Sequence, residues 1–135
     1  MIKNTFKKEE RLCSKRLIDS LFHSGSSFVV YPFRVVFLKT ELPLASHTQI
    51  ILSVPKRRFK HAVSRNRIKR KMRECYRLQK NTTLLPVMSE NSLNLLLAIQ
   101  YVANEELSSQ IMFSKMQIAL VKIVDGISQG HSEAR

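Results

Sequence analysis

The chain has 135 residues, 44% of them hydrophobic and 24% charged, enough apolar content for one packed core and too much for a disordered tail. Its net charge is +13, and self-repulsion on that scale opposes folding unless a polyanion offsets it, so the partner expected is nucleic acid or an anionic membrane. Cys13 and Cys75 are too few and too far apart for a disulfide framework or a CxxC metal site, and both read as helix residues.

The start of the chain is polar (Lys3, Asn4, Thr5, Lys7, Lys8), with no apolar signal core, and the longest near-continuous apolar run, Leu93 to Val102, is too short to cross a bilayer. A cytoplasmic protein is expected, one domain over residues 1–135 with short flexible termini. From Ser14 to Phe22, Leu17, Ile18, Leu21 and Phe22 recur at helical spacing, with Ser14 as N-cap and Gly25 as a stop, which predicts a first helix ending near His23. Phe28 to Lys39 is β-branched and aromatic; Pro32 inside it predicts two short pieces or a bulged edge strand. Phe33, Val35 and Phe37 then face one way, Arg34, Val36 and Leu38 the other.

After the turn-rich TELPLASHT, Gln49 to Val54 reads as a strand closed by Pro55, and a basic helix follows. Leu85-Pro86 opens a polar stretch, Leu93 to Tyr101 reads as a buried strand, and Phe113, Met116, Leu120 and Ile123 mark a last amphipathic helix. The order is αββαβα without internal repeat. It predicts an α/β fold, an α+β sandwich with one central mixed sheet of about four strands and helices packed against it.

The charge is concentrated in the basic segment. Residues 56 to 80 hold twelve basic groups and one acid, Glu74, whereas residues 1 to 55 hold eight and four and residues 81 to 135 hold three and five. At about 100° per residue, Ile68, Met72, Cys75 and Tyr76 share a narrow arc suited to docking on a sheet. Arg65, Asn66, Lys69, Arg70, Arg73 and Arg77 fill the adjoining arc, with Arg67 and Lys71 behind. Like charges at i,i+4, as in Arg65/Lys69/Arg73/Arg77, destabilise a helix that meets no counter-charge, which argues against a merely solubilising face. A membrane-surface helix needs a broad apolar face, and this one offers only residues the core requires. Nucleic acid remains, and because nearly every exposed position is cationic, shape and phosphate recognition of a folded RNA fits better than base reading in a DNA groove.

The stretch KRRFKHAVSRNRIKRKMRECYR resembles the signature of the protein subunit of bacterial ribonuclease P, with Ala62, Arg65-Asn66-Arg67, Lys69-Arg70 and Arg73 at the matching positions. SVPKR (Ser53 to Arg57) is similar to that family's strand followed by paired basic residues, and RLCSKRLIDSLFHSG to its first helix. The resemblance runs from about Arg11 into the last helix and is specific in residues 53 to 77. It implies a small protein that binds a large catalytic RNA and assists removal of the 5′ leader from precursor tRNA, with no cofactor of its own and with Mg²⁺ supplied through the partner RNA. By the same resemblance Arg65, Asn66, Arg67, Lys69, Arg70 and Arg73 contact RNA, and Lys56 and Arg57 edge a cleft that holds the single-stranded leader.

Phe22 matches a cleft aromatic, with core packing as the competing role. Where many relatives carry further rings the chain has Ile18 and Val36, and Gln100 stands where many carry a cation. The cleft is therefore expected to be less aromatic and to rely more on Arg34 and Lys56. The ten acids are scattered, only Glu9/Glu10 and Glu105/Glu106 being adjacent, which suits a protein without a two-metal site of its own. His23, His47, His61 and His131 form no evident pair, and His61 reads as a helix-entry or phosphate-contacting residue rather than a general base. The competing class is a ribosome-associated structural RNA binder with no part in processing.

Overall fold

The computed structural model describes residues 6, 8–44 and 47–128; the polar start (1–5 and 7), Ala45-Ser46 and residues 129–135, with His131, lie outside the described residues. A 3-10 turn (Lys8–Glu10) precedes α1 (Lys15–Ser24), β1 (Ser26–Val30), β2 (Phe33–Thr40), β3 (Thr48–Ser53), α2 (Ala62–Thr83), α3 (Leu85–Glu90), β4 (Asn94–Tyr101) and α4 (Ser109–Ser128). The sheet has four strands in the order β1-β2-β4-β3. β1/β2 and β2/β4 run antiparallel and β3/β4 parallel, so the sheet is mixed and α2 with α3 forms the crossover that a parallel pair requires.

The predicted elements appear, with instructive differences. The Ser14 hydroxyl accepts from the Leu17 N–H and Gly25 donates to the Leu21 carbonyl, so α1 starts and stops as read. A side chain at Gly25 would place Cβ 2.4 Å from the Leu21 carbonyl oxygen and 2.9 Å from that of Phe37, so the helix turns into β1 through a gap that only glycine fits. Cys13 is exposed and lies in the extended approach to α1 rather than within it, while Cys75 is buried on α2. Pro32 divides the long aromatic run into a hairpin, β1 and β2, placing β1 at the sheet edge; the counted order thus gains a strand. It also gains α3, a single buried anchor (Met88) behind Pro86, too short to show periodicity in the sequence.

Each face of the sheet carries its own core. Phe33, Val35, Phe37, Ile50, Leu95, Leu97, Ile99 and Tyr101 pack under α2 and α4, whereas Val36, Leu38, Leu96 and Ala98 pack with Leu21 of α1. The alternation read in β2 is therefore the division between two layers of helix. On α2, Ile68, Met72, Cys75 and Tyr76 are all at most 4% exposed, the arc predicted to anchor the helix. On α4, Met116, Leu120 and Ile123 are buried, but Phe113 is 40% exposed; Met112, one residue earlier, turns inward instead. Ile68→Ala is expected to destabilise the protein by about 2–5 kcal/mol in urea unfolding, as for other fully buried large-to-small changes. A loss within 0.5 kcal/mol, about the spread of ordinary surface changes, would show that α2 is not anchored there.

Candidate nucleic-acid interface

The core arc of α2 fixes where its cations point. Lys69 and Arg73 line a cavity of about 250 Å³ toward β3, shared with Leu12, Cys13, Ile51 and Leu52. Asn66 and Arg70 are exposed on the outer side. None of Lys69, Arg70 or Arg73 forms a salt bridge with a described carboxylate, and neither do Lys56 and Arg57 in the exposed turn after β3. These five cations, three on α2 and two in the turn that leads into it, are positive charges unpaired among the described residues, of the kind that contact a phosphate backbone.

The remaining predicted contacts are engaged within the protein. Arg65 folds back at the start of α2 and its Nη1 donates to the carbonyls of Phe59 and Lys60, each at 2.8 Å, tying the helix to the loop that feeds it. Arg67 grips Glu106: Nε lies 2.8 and 3.0 Å from the two carboxylate oxygens and Nη2 2.8 Å from Oε1. Lys71 reaches the same carboxylate at 2.6 Å and the Leu107 carbonyl at 3.3 Å. Hydrogen bonding from Arg67, then from Lys71, holds the Glu106 carboxyl down at about 2. Its pKa is lowered in the folded state, so this contact adds stability above the ordinary carboxylate range and loses it only as pH falls toward 2. Arg77 pairs with Glu74 on the same helix, which draws the Glu74 carboxyl down as well.

Arg65 and Arg70 therefore separate. Arg70→Ala removes an exposed charge and is expected to leave the melting temperature unchanged or slightly raised, because repulsion falls. Arg65→Ala frees two carbonyls at the helix entry and is expected to cost about 1 kcal/mol. Equal melting curves for the two variants would contradict the tethering role. His61 occupies the N-cap position of α2 without a side-chain cap bond, a helix-entry residue.

The sheet and α1 form the second candidate surface. Arg34 and Gln100 are register partners, and Arg34 Nη1 donates to Gln100 Oε1 at 2.8 Å. With Val29 and Ser53, their partners on either side, they make an open row across the sheet on the α1 face. Gln100 thus holds the arginine in place instead of adding a charge. Ile18 is half-buried against the α1-side core and Phe22 is 43% exposed, which removes core packing as the whole explanation of that ring. Val36 is a correction: it lies on the expected face but is 2% exposed in the core with Leu21, so it cannot line a cleft, and a ring introduced there would overpack that core.

Sequence reading also missed residues whose partners are remote in the chain. Arg58 donates to Asn104 at 2.5 Å, and the Tyr101 hydroxyl donates to the Glu105 carbonyl and accepts from the Leu107 N–H. In the sequence Glu106 is only one of two adjacent acids, and nothing in one sequence links it to Arg67. Cys75 is not a reactive thiol, since burial pushes it up to about 11. Among the described residues no group of three or more His, Cys, Asp or Glu is arranged to hold a metal ion, and no helix is long and apolar enough to cross a membrane.

The family model described as Ribonuclease P matches residues 6–123. The Ribonuclease P protein component of Porphyromonas gingivalis is 37% identical over 120 residues, covering 89% of this chain and 87% of that protein. Among solved structures, the RNase P protein of Thermotoga maritima superposes with a TM-score of 0.67 at 20% identity, covering 84% of this chain and 96% of that one. That of Staphylococcus aureus gives 0.63 at 20% identity, with 84% and 94% covered. At those identities the structural matches speak for the fold, while the family model, spanning the sheet and all four helices but the end of α4, establishes that the chain belongs to the ribonuclease P protein family.

Proposed function

We propose that this protein is the RNA-binding subunit of a bacterial-type ribonuclease P, assisting a catalytic RNA in endonucleolytic removal of the 5′ leader from precursor tRNA. The observation that carries the reading is the set of cations Lys69, Arg70 and Arg73 on a helix whose opposite face is locked into the core, with Lys56 and Arg57 in the turn that leads into it, none of them in a salt bridge with a described carboxylate. A rigid helix presents these charges at fixed spacing, so little further ordering opposes binding to closely spaced phosphates of a folded RNA. Chemistry at the scissile phosphate is assigned to the RNA and the Mg²⁺ it binds; the protein contributes affinity and placement. A cytoplasmic location fits this role.

The leader is assigned to the α1 side of the sheet, where Phe22 offers an exposed ring and Arg34, oriented by Gln100, offers a charge. The direct test adds the protein to a bacterial ribonuclease P RNA at near-physiological Mg²⁺ and follows cleavage of precursor tRNA. Stimulation is expected; its absence, with RNA binding intact, would return the protein to the class of structural RNA binders.

Phe22→Ala should weaken binding of precursor tRNA by the assembled ribonucleoprotein by about 1 kcal/mol, the low end for one stacked base, while mature tRNA is unaffected. Equal effects on both tRNAs would remove Phe22 from the leader site.

A further inference from the structure

The sequence presents the basic helix as cationic on both sides of its apolar arc, but its two flanks differ. Lys69 and Arg73, which line the cavity toward β3, and the exposed Arg70, which borders a second cavity with Lys71 and Glu74, meet no described acid in a salt bridge. Toward α4, Arg67 and Lys71 share one carboxylate, Glu106. We propose that Glu106 sets the side from which RNA approaches: it fills an internal anion site on Arg67 and Lys71, removes both from phosphate binding, and leaves Lys69, Arg70 and Arg73 as the strip of α2 that RNA neutralises. The inference rests on the RNA-binding reading above and refines it.

Three observations support the retention of this clamp when RNA binds. The carboxylate is gripped by both cations, Arg67 through two nitrogens, and its side chain is only 20% exposed. The backbone on either side is fixed independently, since the buried Tyr101 hydroxyl bonds the Glu105 carbonyl at 2.6 Å and the Leu107 N–H at 2.9 Å. Arg58 on Asn104 and Lys71 on the Leu107 carbonyl tie the same loop to the region of α2. A phosphate would therefore compete against a preorganised counter-ion in the same molecule, present at high effective concentration. The whole basic face remains able to attract RNA at a distance, but contact is made from one side.

The number of phosphates neutralised is readable from the salt dependence of binding, each contributing about 0.7 to 0.9 to the slope of log K against log salt. The experiment titrates an in vitro transcribed bacterial ribonuclease P RNA with the full chain over a series of KCl concentrations at constant Mg²⁺, with circular dichroism to verify folding. Arg70→Ala should make the slope shallower by about 0.7 to 0.9. Arg67→Ala should leave it unchanged. Glu106→Gln should bind more tightly and steepen the slope by up to twice the single-phosphate value, and Arg67→Ala added to Glu106→Gln should take back one such increment.

A slope loss in Arg67→Ala equal to that in Arg70→Ala would overturn the inference, because RNA would then be displacing Glu106. No slope loss in Arg70→Ala, with Lys69→Ala also silent, would overturn the RNA reading of the helix and this inference with it. If Glu106→Gln does not fold, the comparison of Arg67→Ala with Arg70→Ala decides alone.

Discussion

Binding of this protein to a ribonuclease P RNA is expected to weaken about a thousandfold when monovalent salt is raised from about 50 to 200 mM. The expectation follows from counting cations that the fold leaves for a partner. Lys56, Arg57, Lys60, Lys69, Arg70 and Arg73 are at least partly exposed and outside every described salt bridge, whereas Arg67, Lys71, Arg77 and Lys80 are paired with carboxylates. About six neutralised phosphates give the low end of the range seen when six to ten are contacted. Taking all twelve basic residues of the segment as available would predict a much steeper loss. Filter-binding titrations distinguish the two, and a nearly flat titration would remove the polyelectrolyte argument altogether.

Breaking the ion pair between Lys80 and Glu10 is expected to be the most destabilising polar substitution in the protein. The two side chains are 2% and 5% exposed, and the ammonium also lies 5.6 Å from the Phe6 ring centroid and 6.0 Å from that of Tyr76. Glu10→Ala leaves that ammonium buried without its counter-charge, and losses for such changes run to about 3–5 kcal/mol. Against a total stability of about 5–15 kcal/mol this is a large share. Replacing both, as in Glu10→Leu with Lys80→Met, should recover most of the loss, because the cost arises from an uncompensated charge rather than from the missing attraction. Urea unfolding of the two variants tests this directly; a loss under about 1 kcal/mol for Glu10→Ala would mean that the pair behaves as a surface salt bridge.

The pair also explains how the start of the chain is held. Glu10 closes the 3-10 turn, Arg11 bridges to Ile50, and the Leu12 N–H donates to the Ile50 carbonyl, so the segment before α1 covers part of the free edge of β3. None of this is marked in the sequence, where Lys80 reads as one more cation at the end of a basic helix and Glu10 as one of two adjacent surface acids. A charge buried across 70 residues of chain has no local signature.

What the sequence by itself determined is whatever depends on neighbours along the chain. Ser14 and Gly25 bound α1 because capping is satisfied within four residues, the alternation from Phe33 to Leu38 follows from the two-residue repeat of a strand, and the arc of Ile68, Met72, Cys75 and Tyr76 follows from the helical turn. The family signature in residues 53–77 belongs to the same kind of information, a run of contiguous residues. The tertiary structure alone decided the rest: that Val36 closes a core instead of lining a cleft, that Met112 and not Phe113 turns inward, that Gln100 steadies Arg34, and above all which cations remain for RNA. Charge counted along a chain is additive, but its availability depends on where each counter-charge is brought by the fold, and Glu106 and Glu10 reach their partners only because β4, α4 and the N-terminal segment pack around α2.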